Sequence, residues 1–141
     1  MKPIATLILN RNLPKVTDKL YWTIKKNEGD ITDIFVIEAG SSKNNLSKFV
    51  TWHANTRNIK KNGLRFPRGM NYGLYNLWKE DLFNKYTAFF LITNDTVIKN
   101  KQTLKILYSI ILKNKKIGIL SPCSKKWGEN KLLKKNNIKF S

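Results

Sequence analysis

Short apolar runs alternate with stretches of helical periodicity along most of this chain. Pro3 to Leu9 is continuously apolar apart from Thr6, and it ends in Asn10-Arg11-Asn12. A run of that length with polar brackets predicts a buried strand. Leu13, Val16, Leu20 and Ile24 then recur at helical spacing, with Pro14 in the first turn, which predicts a helix to about Lys26. Ile34 to Ile37 is a second strand ending at Glu38 and a Gly-Ser turn, and "FVTWHA" is a weaker third. A loop rich in Asn, Lys and Arg follows, from Asn55 to about Arg68. "MNYGLYNLWKEDLFNKY" places Leu74, Leu77, Trp78, Leu82 and Phe83 on one helical side. "AFFLI" is a fourth strand, "KQTLKILYSIILKN" a third helix, and "IGILSP" a fifth strand closed by Pro122.

Strands alternating with helices predict an α/β domain with a mostly parallel sheet. The strands are continuously apolar, which fits a sheet covered by helices on both faces. The expected division is one domain over 1–122 and a basic C-terminal extension over 123–141. At 141 residues the chain suits a single hydrophobic core. The aromatics Trp22, Tyr75, Trp78 and Phe83 occupy helix-face positions and are expected in that core.

Composition adds a strong charge. Lys and Arg number 27 against 9 Asp and Glu, a net +18. Such a balance attracts nucleic acid, acidic lipid or phosphorylated small molecules. Lys, Asn and Ile are all abundant and share AT-rich codons, so coding bias supplies the same excess without any partner. Cys123 is the lone cysteine, which excludes an intrachain disulfide and predicts a reducing, cytoplasmic compartment. The N-terminal apolar run is too short for a secretory leader, and "ILYSIILK" is far below membrane-spanning length. The protein is therefore expected to be soluble or at most peripheral to a membrane, the latter through attraction of the Lys-rich C-terminal stretch to acidic headgroups.

Chemistry in an open α/β sheet gathers at the carboxyl ends of the strands. Those ends carry Asn10-Arg11, then Glu38-Ala39-Gly40-Ser41-Ser42, then Asn94-Asp95-Thr96. No dinucleotide Gly signature, phosphate loop or His/Cys zinc spacing is present. The sole histidine, His53, lies in a predicted strand and reads as structural.

The segments "LILNRN", "VIEAGSS", "RGMNYGL" and "LITNDTVI" occur in the order and rough spacing of the inverting family-two glycosyltransferases of the GT-A fold, a Rossmann-like α/β architecture. The chain resembles the rhamnosyltransferase-like members of that family from about Pro3 to Pro122. The resemblance implies a nucleotide-diphosphate-sugar donor, a Mg2+ or Mn2+ cofactor, and sugar transfer with inversion to a saccharide or lipid-linked acceptor. Asp95 corresponds to the carboxylate that holds the metal against the diphosphate. Asn94 stands where many relatives have Asp. Glu38 matches the acid that takes the nucleoside's base or ribose, one methylene longer than usual. Gly40 and Ser41 would let the backbone approach the nucleoside, and Asn10 and Arg11 would line its pocket. Arg68 would pair with phosphate, with Gly69 and Asn71 shaping a loop before a helix that starts near Asn71. Lys43 stands where relatives often have Asp.

An inverting transfer to a hydroxyl needs a carboxylate base, which family members carry well beyond the fifth strand. The carboxylate available here after Pro122 is Glu129, in "KKWGENK". The chain is thus expected to be a minimal enzyme, a part of a longer one, or an inactive donor-binding or interaction module. A basic nucleic-acid-binding protein is the rival from a different class. It requires Lys and Arg on one face with interleaved aromatics.

Overall fold

The computed structural model describes residues 1–121. Eight regular elements follow one another: β1 (Ile4–Asn10), α1 (Pro14–Glu28), β2 (Thr32–Ala39), β3 (Val50–Ala54), α2 (Arg57–Asn62), α3 (Phe66–Lys79), β4 (Ala88–Thr93) and α4 (Thr103–Lys113). The strands form one sheet in the order β3-β2-β1-β4. Every pairing is parallel. The fold is α/β and Rossmann-like, and its parallel sheet is what the alternation of apolar runs and helical repeats predicts.

All seven residues of β1 are buried, but they serve two cores. Ala5, Leu7 and Leu9 pack with Ile37, Ala39 and Trp52 beneath Met70 and Leu77 of α3. Ile4 and Ile8 pack with Val36 and Ile92 beneath Leu20 and Ile24 of α1 and Leu104 of α4. Successive strand residues point to opposite faces, so a strand covered on both sides shows no alternation in sequence.

Helix α3 lies close to the sheet because two glycines on one of its faces leave room. A Cβ on Gly69 would come within 2.4 Å of Leu9 Cδ1, and one on Gly73 within 2.4 Å of Ile37 Cδ1. The helix begins at Phe66, with Pro67 in its first turn, rather than near Asn71. A proline there forfeits no intrahelical hydrogen bond and presets φ. Part of the expected loop before it is the short helix α2, capped by the Thr56 side chain, which accepts from Ile59 N.

Three expectations fail on burial. Trp22, Tyr75 and Trp78 are 58%, 56% and 64% exposed, not core. Phe83 does pack against the α3-side core, from a short 3-10 turn beyond the helix. Leu13, just before α1, and Val16 on it are also exposed; Leu20 and Ile24 are the buried apolar residues of the helix, with Tyr21 packed beside them.

The chain divides into a unit over Met1–Tyr108 and a second over Ser109–Ser141. The first holds the whole sheet. In the second, residues 114–121 form turns and irregular backbone, so the fifth strand expected from Ile117 is absent among the described residues. Ile119 is 94% exposed, with no strand beside it to cover an apolar run. The expected extension over 123–141 lies outside the described residues. No helix among the described residues is long and apolar enough to cross a membrane.

Candidate functional site

The strand order places a topological switch between β1 and β4: the chain leaves β1 toward β2 on one side and later returns to its other side. Crevices form at the carboxyl ends of strands at such a point. The residues at those ends are Asn10, Glu38 and Asn94, and side-chain hydrogen bonds tie all three together.

Glu38 is the centre of this network. It is fully buried. Its Oε1 accepts from Asn10 Nδ2 at 2.9 Å and from the Ser47 amide at 2.7 Å. Its Oε2 accepts from Asn10 Nδ2 at 3.0 Å and from Ser41 Oγ at 2.5 Å. Asn10 Oδ1 in turn accepts from Asn94 Nδ2 at 2.8 Å and from the Leu13 amide at 3.3 Å. A carboxylate has about four lone-pair sites. Three donors, Asn10 Nδ2, Ser41 Oγ and the Ser47 amide, make four contacts with it, so both of its oxygens are engaged by the protein. Held in this way, Glu38 ties together the loops after β1 and β2. Asn10, also fully buried, belongs to the same scaffold and does not line an open pocket.

The loops so held border a cleft of about 690 Å3, lined by Asn12, Ser41, Ser42, Lys43, His53 and Lys60 among others. Asn12 was not singled out in the sequence. It has φ +56, a left-handed conformation that Asn tolerates. Its amide donates to Ser41 Oγ at 3.0 Å, and its Oδ1 accepts from the Ser42 amide at 2.9 Å. An Asn just past a strand, two residues from another Asn, was the available signal. Gly40 has φ +81, and a Cβ there would meet the Ile59 carbonyl oxygen at 2.2 Å. Its role is to let α2 dock against the β2 end. His53 pairs in register with Glu38, and its Nε2 is buried without a hydrogen-bond partner among the described residues.

Arg11 reaches away from this cleft. Its Nη1 donates to the Asn62 carbonyl at 2.9 Å and its Nη2 to the Lys61 carbonyl at 3.1 Å. The guanidinium thus caps the C-terminal end of α2, where free carbonyls and the helix dipole favour a cation. Arg68 is exposed in the first turn of α3 and borders a separate shallow cleft with Asn62, Gly63, Arg65 and Pro67. Gly69 is buried under Leu9, and Asn71 is exposed one turn into the helix. Neither shapes a loop, which corrects the expectation for "RGMNYGL".

Asp95 stands at the end of β4 with its side chain exposed. Its Oδ1 accepts from Thr93 Oγ1 at 2.5 Å. Asn94 beside it is buried against Asn10, so its amide is committed to the scaffold. Asp95 borders a second cleft of about 440 Å3, walled by α1 and by residues 94–98. No group of three or more His, Cys, Asp or Glu among the described residues is arranged to hold a metal. A single rim carboxylate does suit Mg2+, which keeps several waters and takes one or two carboxylates together with substrate phosphates. The weak candidate base, Glu129, lies outside the described residues.

The chain has no match among protein-family models, curated proteins or solved structures.

Proposed function

We propose that this chain is a glycosyltransferase-like domain of GT-A type. It binds a nucleotide-diphosphate-sugar with Mg2+ or Mn2+ and transfers the sugar, with inversion, to a saccharide or lipid-linked acceptor. The observation that carries the reading is the exposed Asp95 carboxylate at the carboxyl end of β4, beside the switch point. The buried network of Asn10, Glu38 and Asn94 holds the neighbouring strand ends in place. A bound cation would supply charge neutralisation as the diphosphate leaves.

The chain's own residues divide the remaining work. Asp95 offers the metal-binding oxygen. The cleft bordered by Asn12, Ser41, Ser42 and Lys43 has the volume of a small-molecule site and offers hydroxyl, amide and ammonium groups to a nucleoside. Glu38 and Asn10 orient those groups. The setting we assign is cytoplasmic, peripheral to a membrane.

A nucleic-acid-binding reading is favoured by one feature. Lys19, Trp22 and Lys26 are exposed along one side of α1, a cationic strip with an aromatic in it. A thermal-shift screen separates the readings. With UDP, dTDP or GDP at about a hundred times its dissociation constant, stabilisation of roughly 2.7 kcal/mol raises Tm by about 10 °C. The proposal requires that rise to depend on Mn2+. Stabilisation by oligonucleotides alone, lost with added salt, supports the rival. A chain that responds to neither is an interaction module.

A further inference from the structure

Helix α3 turns an uncharged, aromatic face outward. Asn71, Tyr75 and Trp78 recur at i, i+4 and i+7, on the side of the helix opposite the buried Gly69, Gly73 and Leu77. All three are exposed, Tyr75 at 56% and Trp78 at 64%. The two rings are neighbours, with centroids 5.9 Å apart and planes inclined at 33°. Among the described residues, no hydrogen bond takes the Asn71 side-chain amide, the Tyr75 hydroxyl or the Trp78 indole N–H. The outward face of a packed helix is ordinarily charged or polar. Charged residues make up 26% of this chain, yet residues 69–78 are its longest stretch without one.

Neutral rings beside a free amide and a free hydroxyl suit a partner that is itself uncharged, with C–H faces to stack and hydroxyls to bond. Tyr and Trp serve there because each joins an apolar body to a polar tip. We infer that this face is a binding platform for a neutral oligosaccharide, with pyranose rings laid against Tyr75 and Trp78. Other occupants fit it less well. Nucleic acid and acidic lipid call for cations among the rings, which α1 provides and the Asn71–Trp78 stripe does not. A second copy of the chain would need about 800 Å2 per partner, and two partly exposed rings of roughly 150–250 Å2 each supply well under that.

The platform is separate from the strand-end site. Helix α3 covers the sheet face that carries Leu7, Leu9 and Ile37. Helix α1, which walls the cleft beside Asp95, covers the other face, with Ile8 and Val36. The platform is therefore not where a sugar would be transferred. It holds a saccharide to the domain, and no bond is made or broken on it. Its binding stands without the donor-binding reading; its use, keeping a glycan beside the domain, rests on that reading.

The test is a nuclear magnetic resonance titration of the isotope-labelled full chain with cellotetraose and with maltotetraose, without nucleotide or metal. With at least one of these sugars, the Trp78 indole signal and the amides of residues 71–78 are expected to move saturably at about the millimolar level, with the Trp22 indole unmoved. Trp78→Ala and Tyr75→Ala should each weaken binding about tenfold, read from the α3 amides, through the loss of one stacking ring. Tyr75→Phe keeps the ring and should weaken it by less than about threefold. Both side chains are exposed, so these variants should keep the natural Tm. Trp22→Ala should leave sugar binding unchanged. Asp95→Asn should too, although it abolishes metal-dependent diphosphate binding if the donor reading holds, so the two ideas fail separately. A Trp78 signal that neither sugar moves overturns the proposal, as does sugar binding that survives Trp78→Ala undiminished. So does a Trp78 signal that answers instead to phosphatidylserine–phosphatidylcholine vesicles or to protein concentration, which would give the face to a membrane or to a second copy.

Discussion

The Asn10 side-chain amide donates to both carboxylate oxygens of Glu38, at 2.9 and 3.0 Å, across the β1–β2 pair. Both residues are fully buried, and the same carboxylate also holds Ser41 and the Ser47 amide. Removing it leaves several buried donors without partners, each at a desolvation cost of about 1–3 kcal/mol. Glu38→Ala should therefore destabilise the fold by about 3 kcal/mol or more in urea unfolding. In a double-mutant cycle with Asn10→Ala the coupling should exceed about 1 kcal/mol. Additive effects would show that the pair does not act as a unit.

Gly40 is where α2 meets the end of β2. Its φ of +81 disfavours any side chain, and an added Cβ would strike the Ile59 backbone. Gly40→Ala is expected to cost at least about 2 kcal/mol, the sum of left-handed strain and overpacking. Hydrogen exchange of residues 57–62 should accelerate more than that of β1. Uniform acceleration would mean that Gly40 supports the whole sheet and not the α2 contact.

Glu28 gives the fold a pH dependence. It is buried, and its carboxylate accepts from the Lys105 amide at 2.9 Å in the first turn of α4. Burial raises its pKa above the usual carboxylate value, with the amide hydrogen bonds opposing in part. A carboxyl raised in the folded state binds its proton more readily there than in the unfolded chain. The stability it contributes is present in acid, below the unfolded value, and is lost as pH rises through the folded one. Gln keeps an acceptor oxygen without the charge. The stability of Glu28→Gln relative to the natural chain should accordingly rise between pH 4 and 8. A flat difference would refute this account.

Tyr86 makes the opposite end of the pH range informative. Its hydroxyl donates to Asp33 Oδ2 at 3.0 Å. Burial first, and then the Asp33 carboxylate, push its pKa up to about 12. The corresponding stabilisation is complete below about pH 10, the free phenol value, and fades as pH rises through about 12. Ultraviolet titration of tyrosinate should show a phenol that ionises late. Tyr86→Phe should remove that step, and its survival would assign it to another tyrosine.

The sheet was legible because its central strands are nearly continuous apolar runs, such as Pro3 to Leu9 with Thr6 inside it, and its helices have apolar repeats. Gly69 and Gly73 misled the reading of α3. A Pro-Arg-Gly sequence looks like a turn until the four-residue glycine spacing is read as a face pressed on a sheet. Trp78 follows Leu77 by about 100° of helical rotation. A side chain one position from the core stripe can thus face solvent, as its 64% exposure shows. Glu38 marks the limit of sequence for the site. A strand-end acid reads the same whether it faces a ligand or is engaged by Asn10, Ser41 and Ser47, residues far apart in the chain. Asp95 was legible as a rim carboxylate because the apolar run of β4 ends just before it.

The central claim is that Asp95 holds a divalent cation against a nucleoside diphosphate. Electron paramagnetic resonance of free Mn2+, titrated with this chain and UDP, dTDP or GDP, measures that event directly. The account predicts that protein and one of these nucleotides together remove Mn2+ signal beyond what nucleotide alone removes, and that Asp95→Asn abolishes the excess. Equal Mn2+ uptake by the natural chain and Asp95→Asn, or no uptake beyond the nucleotide's own with any of the three, would contradict it.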